Sequence, residues 1–157
     1  MSLRIEIVVA AIAGAAAIGA SRSPLRAQQA APPQQTTAAT VAARSVRDGV
    51  YTEEQAKRGE RVYGDECSRC HGPALDGGES APLIGDAFAK SWGGSALDEL
   101  FDRIKTSMPQ DDPGRLSAPQ TADVLAYILN ANKFPTGKTE LAQEKALLKA
   151  IRFEAAK

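Results

Sequence analysis

The chain has 157 residues, a length typical of one domain with tails, and its 19 Lys and Arg side chains balance 19 Asp and Glu. This even balance excludes the basic surface on which nucleic-acid binding depends, so no nucleic-acid partner is expected. Two cysteines and one histidine are too few for a disulfide-rich scaffold, a four-thiolate metal site or a two-histidine catalytic centre. Aromatic residues make up only 5%, so a small domain needs something besides its side chains to complete the core.

An uncharged apolar run of 14 residues extends from Ile7 to Ala20, after a short basic start. It is shorter than the ~20 residues of a bilayer span but has the length of a signal-peptide core. We therefore predict a signal peptide over residues 1–27, cleaved after Ala20 or Ala27, and an exported, periplasmic protein. The alternative is an uncleaved anchor helix, which would then be the chain's only contact with a membrane.

Residues 28–50 consist mainly of Ala, Gln, Thr and Pro and contain few large apolar side chains. Such a composition cannot bury enough surface to offset the entropy lost on ordering, so it predicts a disordered linker. Ordered structure is expected to begin near Tyr51. Thr52 and Gln55 have the spacing of a capping box and predict a first helix that extends to about Asp65.

Residues 72–94 are rich in Gly and Pro and predict a long irregular segment that wraps around something. Ser95 and Asp98 then predict the start of a second helix, which ends before Pro109 because proline disfavours helix in the residue preceding it. Its apolar residues recur at i, i+3, i+4 and i+7, which indicates one buried face. They are Leu97, Leu100, Phe101 and Ile104.

Ser117 and Gln120 form another capping box and predict a third helix. A further helix is expected from about Glu140 to Phe153, within a C-terminal extension of residues 133–157. No alternation typical of strands competes with these helices. The sequence therefore predicts an all-α fold of three to five helices.

Both cysteines and the only histidine lie within five positions, as Cys67-Ser68-Arg69-Cys70-His71. The spacing C-x-x-C-H is the signature of covalent c-type haem attachment. Two intervening residues on a helical turn bring both thiols to one edge, where each can form a thioether with a former vinyl group of haem. We therefore predict one haem c per chain, bound by Cys67 and Cys70, with the imidazole of His71 as an iron ligand.

Three other interpretations of these residues stay open. A disulfide between Cys67 and Cys70 is compatible with an exported protein that binds no haem. A thioredoxin-type redox pair would need a strand-to-helix turn, which the pattern does not predict. Zinc would need two more ligands from a chain with no further Cys or His.

Met108 is the candidate for the second axial ligand of the iron. The chain has no second histidine, and Met108 is the one methionine that remains when the segment containing Met1 is removed. Methionine most often fills a gap in a core, but a lone Met before Pro109, on the loop after the second helix, favours ligation. A thioether ligand raises the reduction potential of haem. The alternative is an open or lysine-ligated distal side, which would suit a haem enzyme or a gas-binding sensor.

From about Thr52 to Asn132 the chain resembles the mono-haem class I c-type cytochromes. The matching features are Gly59 with Tyr63, the motif Cys67/Cys70/His71, Pro82-Leu83, Met108-Pro109 and Tyr127. The resemblance implies a small cytochrome c fold over residues 51–132, wrapped around one covalently attached haem. It also implies that Gly59 lets the first and last core helices cross closely, with Tyr63 and Tyr127 packed at the contact.

The resemblance further implies three roles around the cofactor. The carbonyl of Pro82 would accept a hydrogen bond from Nδ1 of His71, and Leu83 would pack on the face of the haem. The indole N–H of Trp92 would reach a haem propionate, unless Trp92 is simply an aromatic residue of the core.

The segment from Gly77 to Trp92, with Thr106 to Pro109, resembles more narrowly the cytochrome subunits that accompany quinoprotein dehydrogenases. A haem with both axial positions filled offers no site for substrate, so we expect one-electron transfer and no catalytic residue. The protein would be a soluble carrier or the electron-accepting subunit of a dehydrogenase. Its expected partners are redox proteins, among them a quinoprotein dehydrogenase and a terminal oxidase or another cytochrome.

Overall fold

A computed structural model describes residues 42–154. The predicted signal peptide and residues 28–41 of the predicted linker lie outside the described residues. No helix within 42–154 is long and apolar enough to cross a membrane. The elements are β1 (Arg44–Ser45), a 3-10 turn (Val46–Asp48), α1 (Glu53–Glu66), α2 (Ser68–His71), α3 (Gly85–Trp92), α4 (Leu97–Ser107), α5 (Ala118–Ala131), α6 (Lys145–Leu148) and β2 (Ile151–Arg152).

The predicted start of α1 is confirmed, but only half of its capping box forms. The side chain of Thr52 accepts a hydrogen bond from the backbone N–H of Gln55, at 3.1 Å. The Gln55 side chain does not reach back, because it is buried against the C-terminal segment. There its amide donates to the carbonyl of Leu141 at 3.1 Å and accepts from the Leu141 N–H at 2.6 Å. Gln55 therefore connects α1 to a segment far away in the sequence.

Helices α1 and α5 cross at Gly59, as the resemblance implied. A Cβ atom at this position would lie 1.8 Å from the backbone oxygen of Asp123, so only glycine permits the approach. One turn further along α1, the rings of Tyr63 and Tyr127 lie 5.3 Å apart at an angle of 50°. Arg58 adds two hydrogen bonds of 3.0 Å to the carboxylate of Asp123. The crossing is thus held by close backbone packing, an aromatic contact and an ion pair.

The predicted second and third helices are α4 and α5. The N-cap of α4 is Ala96 rather than Ser95, and its N–H donates to the carboxylate of Glu99 at 3.3 Å. The apolar stripe predicted for this helix is buried. In α5 the capping box of Ser117 and Gln120 forms as predicted.

The prediction of an irregular segment over residues 72–94 is wrong for residues 85–92, which form α3. A helix of eight residues is marginal on its own, so its stability depends on packing that the local sequence does not reveal. Phe88 is buried and its ring lies 5.4 Å from that of Phe153 in an edge-to-face contact. Phe153 lies near the C-terminal end of the described residues, far from α3 in the sequence.

The predictions for both ends of the domain need correction. Residues 44–50 are not part of a disordered linker, because β1 pairs in parallel with β2 and Val46 and Val50 are buried. The predicted helix from Glu140 to Phe153 is also wrong, since only residues 145–148 are helical and residues 151–152 are a strand. Leu141, Leu148, Ile151 and Phe153 of this segment are nevertheless buried in the core, whereas Leu147 is exposed. Apart from this pair of two-residue strands, the described fold is all-α, as predicted.

Substitution of Gly59 by Ala tests the helix crossing, because α1 contains a second glycine as a matched control. A Cβ at Gly64 would meet nothing within 4 Å. Gly64→Ala should therefore stabilise the protein by about 0.5–1 kcal/mol through helix propensity alone. Gly59→Ala gains the same propensity but forces the helices apart, and should destabilise by about 1–3 kcal/mol. Urea unfolding of both variants measures the difference, and equal effects would contradict the crossing described here.

Candidate functional site

A cavity of about 650 Å³ lies between α2, α3, α4 and α5 and has mostly apolar walls. Its size is within the range of pockets that bind cofactors and other small ligands, roughly 300–1,000 Å³. All seven residues that the sequence analysis selected for cofactor binding line this one cavity. They are Cys67, Cys70, His71, Pro82, Leu83, Trp92 and Met108.

The C-x-x-C-H motif lies at the junction of α1 and α2. The N–H of Cys67 donates to the carbonyl of Tyr63 at 2.9 Å, so Cys67 ends α1. The N–H groups of Cys70 and His71 donate to the carbonyl of Cys67, at 3.1 and 3.0 Å, and so form the short turn of α2. The hydroxyl of Tyr63 donates to the carbonyl of Gly72 at 2.6 Å. The helix crossing is therefore connected directly to both ends of the motif.

Both cysteines are free thiols, partly buried in the cavity wall. Burial, with a smaller effect of the neighbouring Cys70, raises the pKa of Cys67 to about 11. Within residues 42–154 no group of three or more His, Cys, Asp or Glu is placed to bind a metal ion. This geometry does not support the zinc interpretation.

The orientation of His71 is set by the loop that follows the motif. Its Nδ1 lies 2.7 Å from the carbonyl oxygen of Ala81. The resemblance implied the carbonyl of Pro82, so the acceptor is one residue earlier than expected. With Nδ1 as the donor, Nε2 carries the lone pair that a metal ion would bind.

Several backbone hydrogen bonds hold this loop against the motif, which explains how the acceptor is kept in place. The N–H of Gly77 donates to the carbonyl of His71 at 2.9 Å, and the N–H of Ser80 donates to that of Cys70 at 3.0 Å. Leu83 is fixed from α5, because the side-chain amide of Asn132 donates to its carbonyl at 2.9 Å. These hydrogen bonds fix the position of the loop relative to the motif.

Met108 forms the end of α4 and brings a thioether to the same cavity. Its N–H donates to the carbonyl of Ile104 at 3.1 Å, and its own backbone is extended. Leu100 and Ile104, which the sequence analysis assigned only to a buried helix face, also line the cavity. Part of the predicted core is therefore the wall of a cofactor site.

Trp92 and Arg103 bring side-chain N–H donors to the wall of the cavity. Trp92 packs against Phe88 with ring centroids 6.5 Å apart and also lines the cavity, while its contact with a haem propionate stays a prediction. Neither Trp92 nor Arg103 makes a side-chain hydrogen bond or ion pair with any residue of the described part of the chain. The sequence analysis missed Arg103, although its position beside Ile104 in the amphipathic helix was a usable signal.

This set of groups fits haem c. An apolar wall suits the porphyrin ring, two thiols suit thioether bonds, and the imidazole and thioether suit iron. The side-chain N–H donors of Trp92 and Arg103 suit the carboxylates that a haem carries at one edge.

Residues 54–128 match the protein family described as cytochrome c oxidase, cbb3-type, subunit III. The match is slightly less than half of the chain and extends from α1 through most of α5, which includes the motif and Met108. No curated protein matches the chain significantly.

Among solved structures, the sulfane dehydrogenase SoxCD from Paracoccus pantotrophus is similar at 22% identity and a TM-score of 0.42. The alignment covers 71% of this chain and 60% of that chain, so this chain spans less than two thirds of the matched one. The family match over residues 54–128, and a C-x-x-C-H motif that lines a cavity with the donors a haem requires, together support a c-type cytochrome domain with covalently bound haem c that transfers electrons.

Proposed function

We propose that the protein is a periplasmic one-electron carrier in which thioethers from Cys67 and Cys70 hold the haem and His71 and Met108 are the axial ligands. The observation that carries this proposal is the convergence of these four residues on one cavity, although Met108 is far from the motif in sequence. When bound, the haem supplies a one-electron redox couple at its iron. With both axial positions filled, the iron has no open position for a substrate, so we propose no catalytic residue.

The chain's own residues orient the ligands and exclude water. The Ala81 carbonyl holds the imidazole of His71 at 2.7 Å and fixes its tautomer. Leu83, Leu100 and Ile104 provide an apolar environment, which favours the less charged form of a redox centre and so supports a raised potential.

Export to the periplasm is part of the proposal and is supported by the apolar run from Ile7 to Ala20. The narrower sequence resemblance supports an electron-accepting subunit of a quinoprotein dehydrogenase, with a terminal oxidase or another cytochrome as acceptor. A free carrier is the other form of the same function. Gentle fractionation of the native source separates the two, because a bound subunit should co-purify with a large dehydrogenase chain in the exported fraction. Recovery of haem protein from the cytoplasm would contradict the export.

Removal of the cysteines tests the attachment of the haem. Cys67→Ala and Cys70→Ala should each leave a single thioether and shift the pyridine haemochrome absorption, because one vinyl group stays unsaturated. The double variant should lose its haem on denaturation, since no covalent bond remains. A wild-type protein that stays colourless when made with haem-attachment machinery would support the disulfide interpretation instead.

Met108→Ala tests the distal ligand. The methionine–ferric-iron charge-transfer absorption should disappear, and the potential should fall by on the order of 0.1 V, within the ~0.8 V range over which axial ligands act. Covalent haem should be retained, which separates loss of a ligand from loss of the cofactor. Absence of that absorption in the wild type would contradict His/Met ligation. Carbon monoxide binding by the unmutated ferrous protein at neutral pH would favour the alternative, a haem enzyme or gas-binding sensor.

Arg103→Gln tests whether the cation in the cavity wall acts on the redox centre. A nearby positive charge disfavours the oxidised iron, so its removal should lower the potential by on the order of tens of millivolts. Lys90→Gln is the matched control, because Lys90 is exposed on α3, is absent from the cavity wall and changes the net charge equally. Equal shifts in the two variants would mean that only net charge matters.

A further inference from the structure

Two ion pairs join the two segments that carry the predicted iron ligands. We call residues 66–71, which contain the cysteines and His71, the proximal segment, and residues 108–117 the distal loop. Nη2 of Arg69 lies 2.9 Å from Oδ2 of Asp111, and Arg115 pairs with Glu66. Each segment thus contributes one acidic and one basic side chain. In one pair the proximal segment supplies the base, and in the other it supplies the acid.

These pairs are the polar connection between the two segments. Within residues 42–154, no backbone hydrogen bond joins the proximal segment to the distal loop. The loop is also held from α4, where the ammonium group of Lys105 donates to the carbonyl of Gly114 at 3.1 Å, and by the burial of Leu116 in the core. Loss of both ion pairs would therefore leave the loop attached to α4 but no longer tied to the proximal segment.

The location of the pairs relates them to the cofactor site. Glu66, Arg69 and Asp111 all line the cavity, together with the cysteines and Met108. The carboxylate of Asp111 pairs with Arg69, which lies between the two cysteines.

The exposure of the paired side chains determines how strongly salt screens their attraction. Arg69 and Asp111 are 77% and 56% exposed, so their attraction is weak and strongly screened by salt. Arg115 and Glu66 are 40% and 21% exposed, so their attraction is screened less. The connection should therefore weaken gradually as ionic strength rises, with the outer pair lost first.

We propose that the pairs Arg69–Asp111 and Glu66–Arg115 form an electrostatic clasp that holds the distal loop closed and limits the release of Met108 from the iron. The proposal rests on the proposed ligation by Met108. An external ligand can bind the iron only when the loop has moved, and this movement separates the paired charges. The apparent affinity for such a ligand is therefore reduced by the fraction of molecules in which the clasp is closed. The four residues are positioning residues, because they act through the loop and not on the iron.

Imidazole binding to the ferric holoprotein at low salt tests the clasp. Asp111→Asn should raise the affinity for imidazole roughly two- to fivefold, the range expected from an exposed ion pair. Arg69→Gln should give the same gain, and the double variant should gain little more, since either change removes the same interaction. Asp111→Glu, which keeps the charge, should stay close to the wild type. Arg115→Gln should have the larger effect because its pair is less exposed.

The control is Lys57→Gln, which breaks an exposed ion pair of 2.7 Å with Glu53 at the start of α1, away from the cavity. It should leave imidazole binding unchanged. At about 1 M salt, where the Debye length is about 3 Å, the wild type should bind imidazole nearly as well as Asp111→Asn.

Two negative results are distinguishable. If the wild type shows the methionine–iron absorption but Asp111→Asn and Arg115→Gln bind imidazole as it does, the clasp is wrong and Met108 ligation stands. If the wild type lacks that absorption, the ligation itself is wrong and the clasp is rejected with it.

Discussion

The close crossing of α1 and α5 at Gly59 positions both walls of the haem cavity. The backbone of α1 approaches the carbonyl of Asp123 so closely that no side chain fits between them. From this point α1 continues to the motif, and the Tyr63 hydroxyl holds the carbonyl just beyond His71. On the other helix, Val124 and Ile128 follow Asp123 and line the cavity. A contact that does not touch the cofactor therefore sets the distance between the covalent attachment and the wall facing it.

The haem also completes the hydrophobic core, which explains how a domain with so few aromatic residues is built. Along α4, Leu97 and Phe101 contact other side chains in the core, whereas Leu100 and Ile104 face the cavity. Leu100 and Ile104 are already buried by the protein itself, and haem bound in the cavity that they line would remove further apolar area from water, which is the main favourable term in folding. Covalent attachment makes this contribution permanent, since the cofactor cannot dissociate when the fold opens.

Features that depend on adjacent residues could be predicted from the sequence, and features that depend on distant contacts could not. The caps at Thr52 and Ser117 and the end of α4 before Pro109 were predictable because each is decided within about one helical turn. The strand pair β1–β2 was not, since β1 lies in a segment of linker-like composition, β2 lies in a segment predicted as helix, and the order of both comes from their pairing across the domain. Helix α3 was missed for the same reason.

The same distinction holds within the site. Rare residues with specific chemistry, Cys67, Cys70, His71 and Met108, were selected correctly as lining one cavity, since few other groups could do that chemistry. The hydrogen-bond acceptor for His71 was misplaced by one residue because it is a backbone carbonyl, which any residue provides. Arg103 was missed because an arginine beside an apolar stripe is usually solvated, so its position next to Ile104 was only a weak signal for the cavity wall.

Two different kinds of interaction support opposite parts of the cavity wall. Behind α3, Phe153 packs on Phe88 and Phe134 at 5.4 and 5.2 Å, and its backbone pairs with Gly94 and Ser95. These contacts come from a C-terminal segment outside the family match, and they hold Trp92 in place through apolar burial that salt does not screen. The distal loop also buries Leu116, but its connection to the proximal segment consists of ion pairs between partly exposed side chains. Because packed cores deform little while exposed ion pairs open readily, motion at this site should be confined to the loop that carries Met108. The wall at Trp92 then stays fixed, so the protein can vary access to its iron without disturbing the remainder of the haem environment.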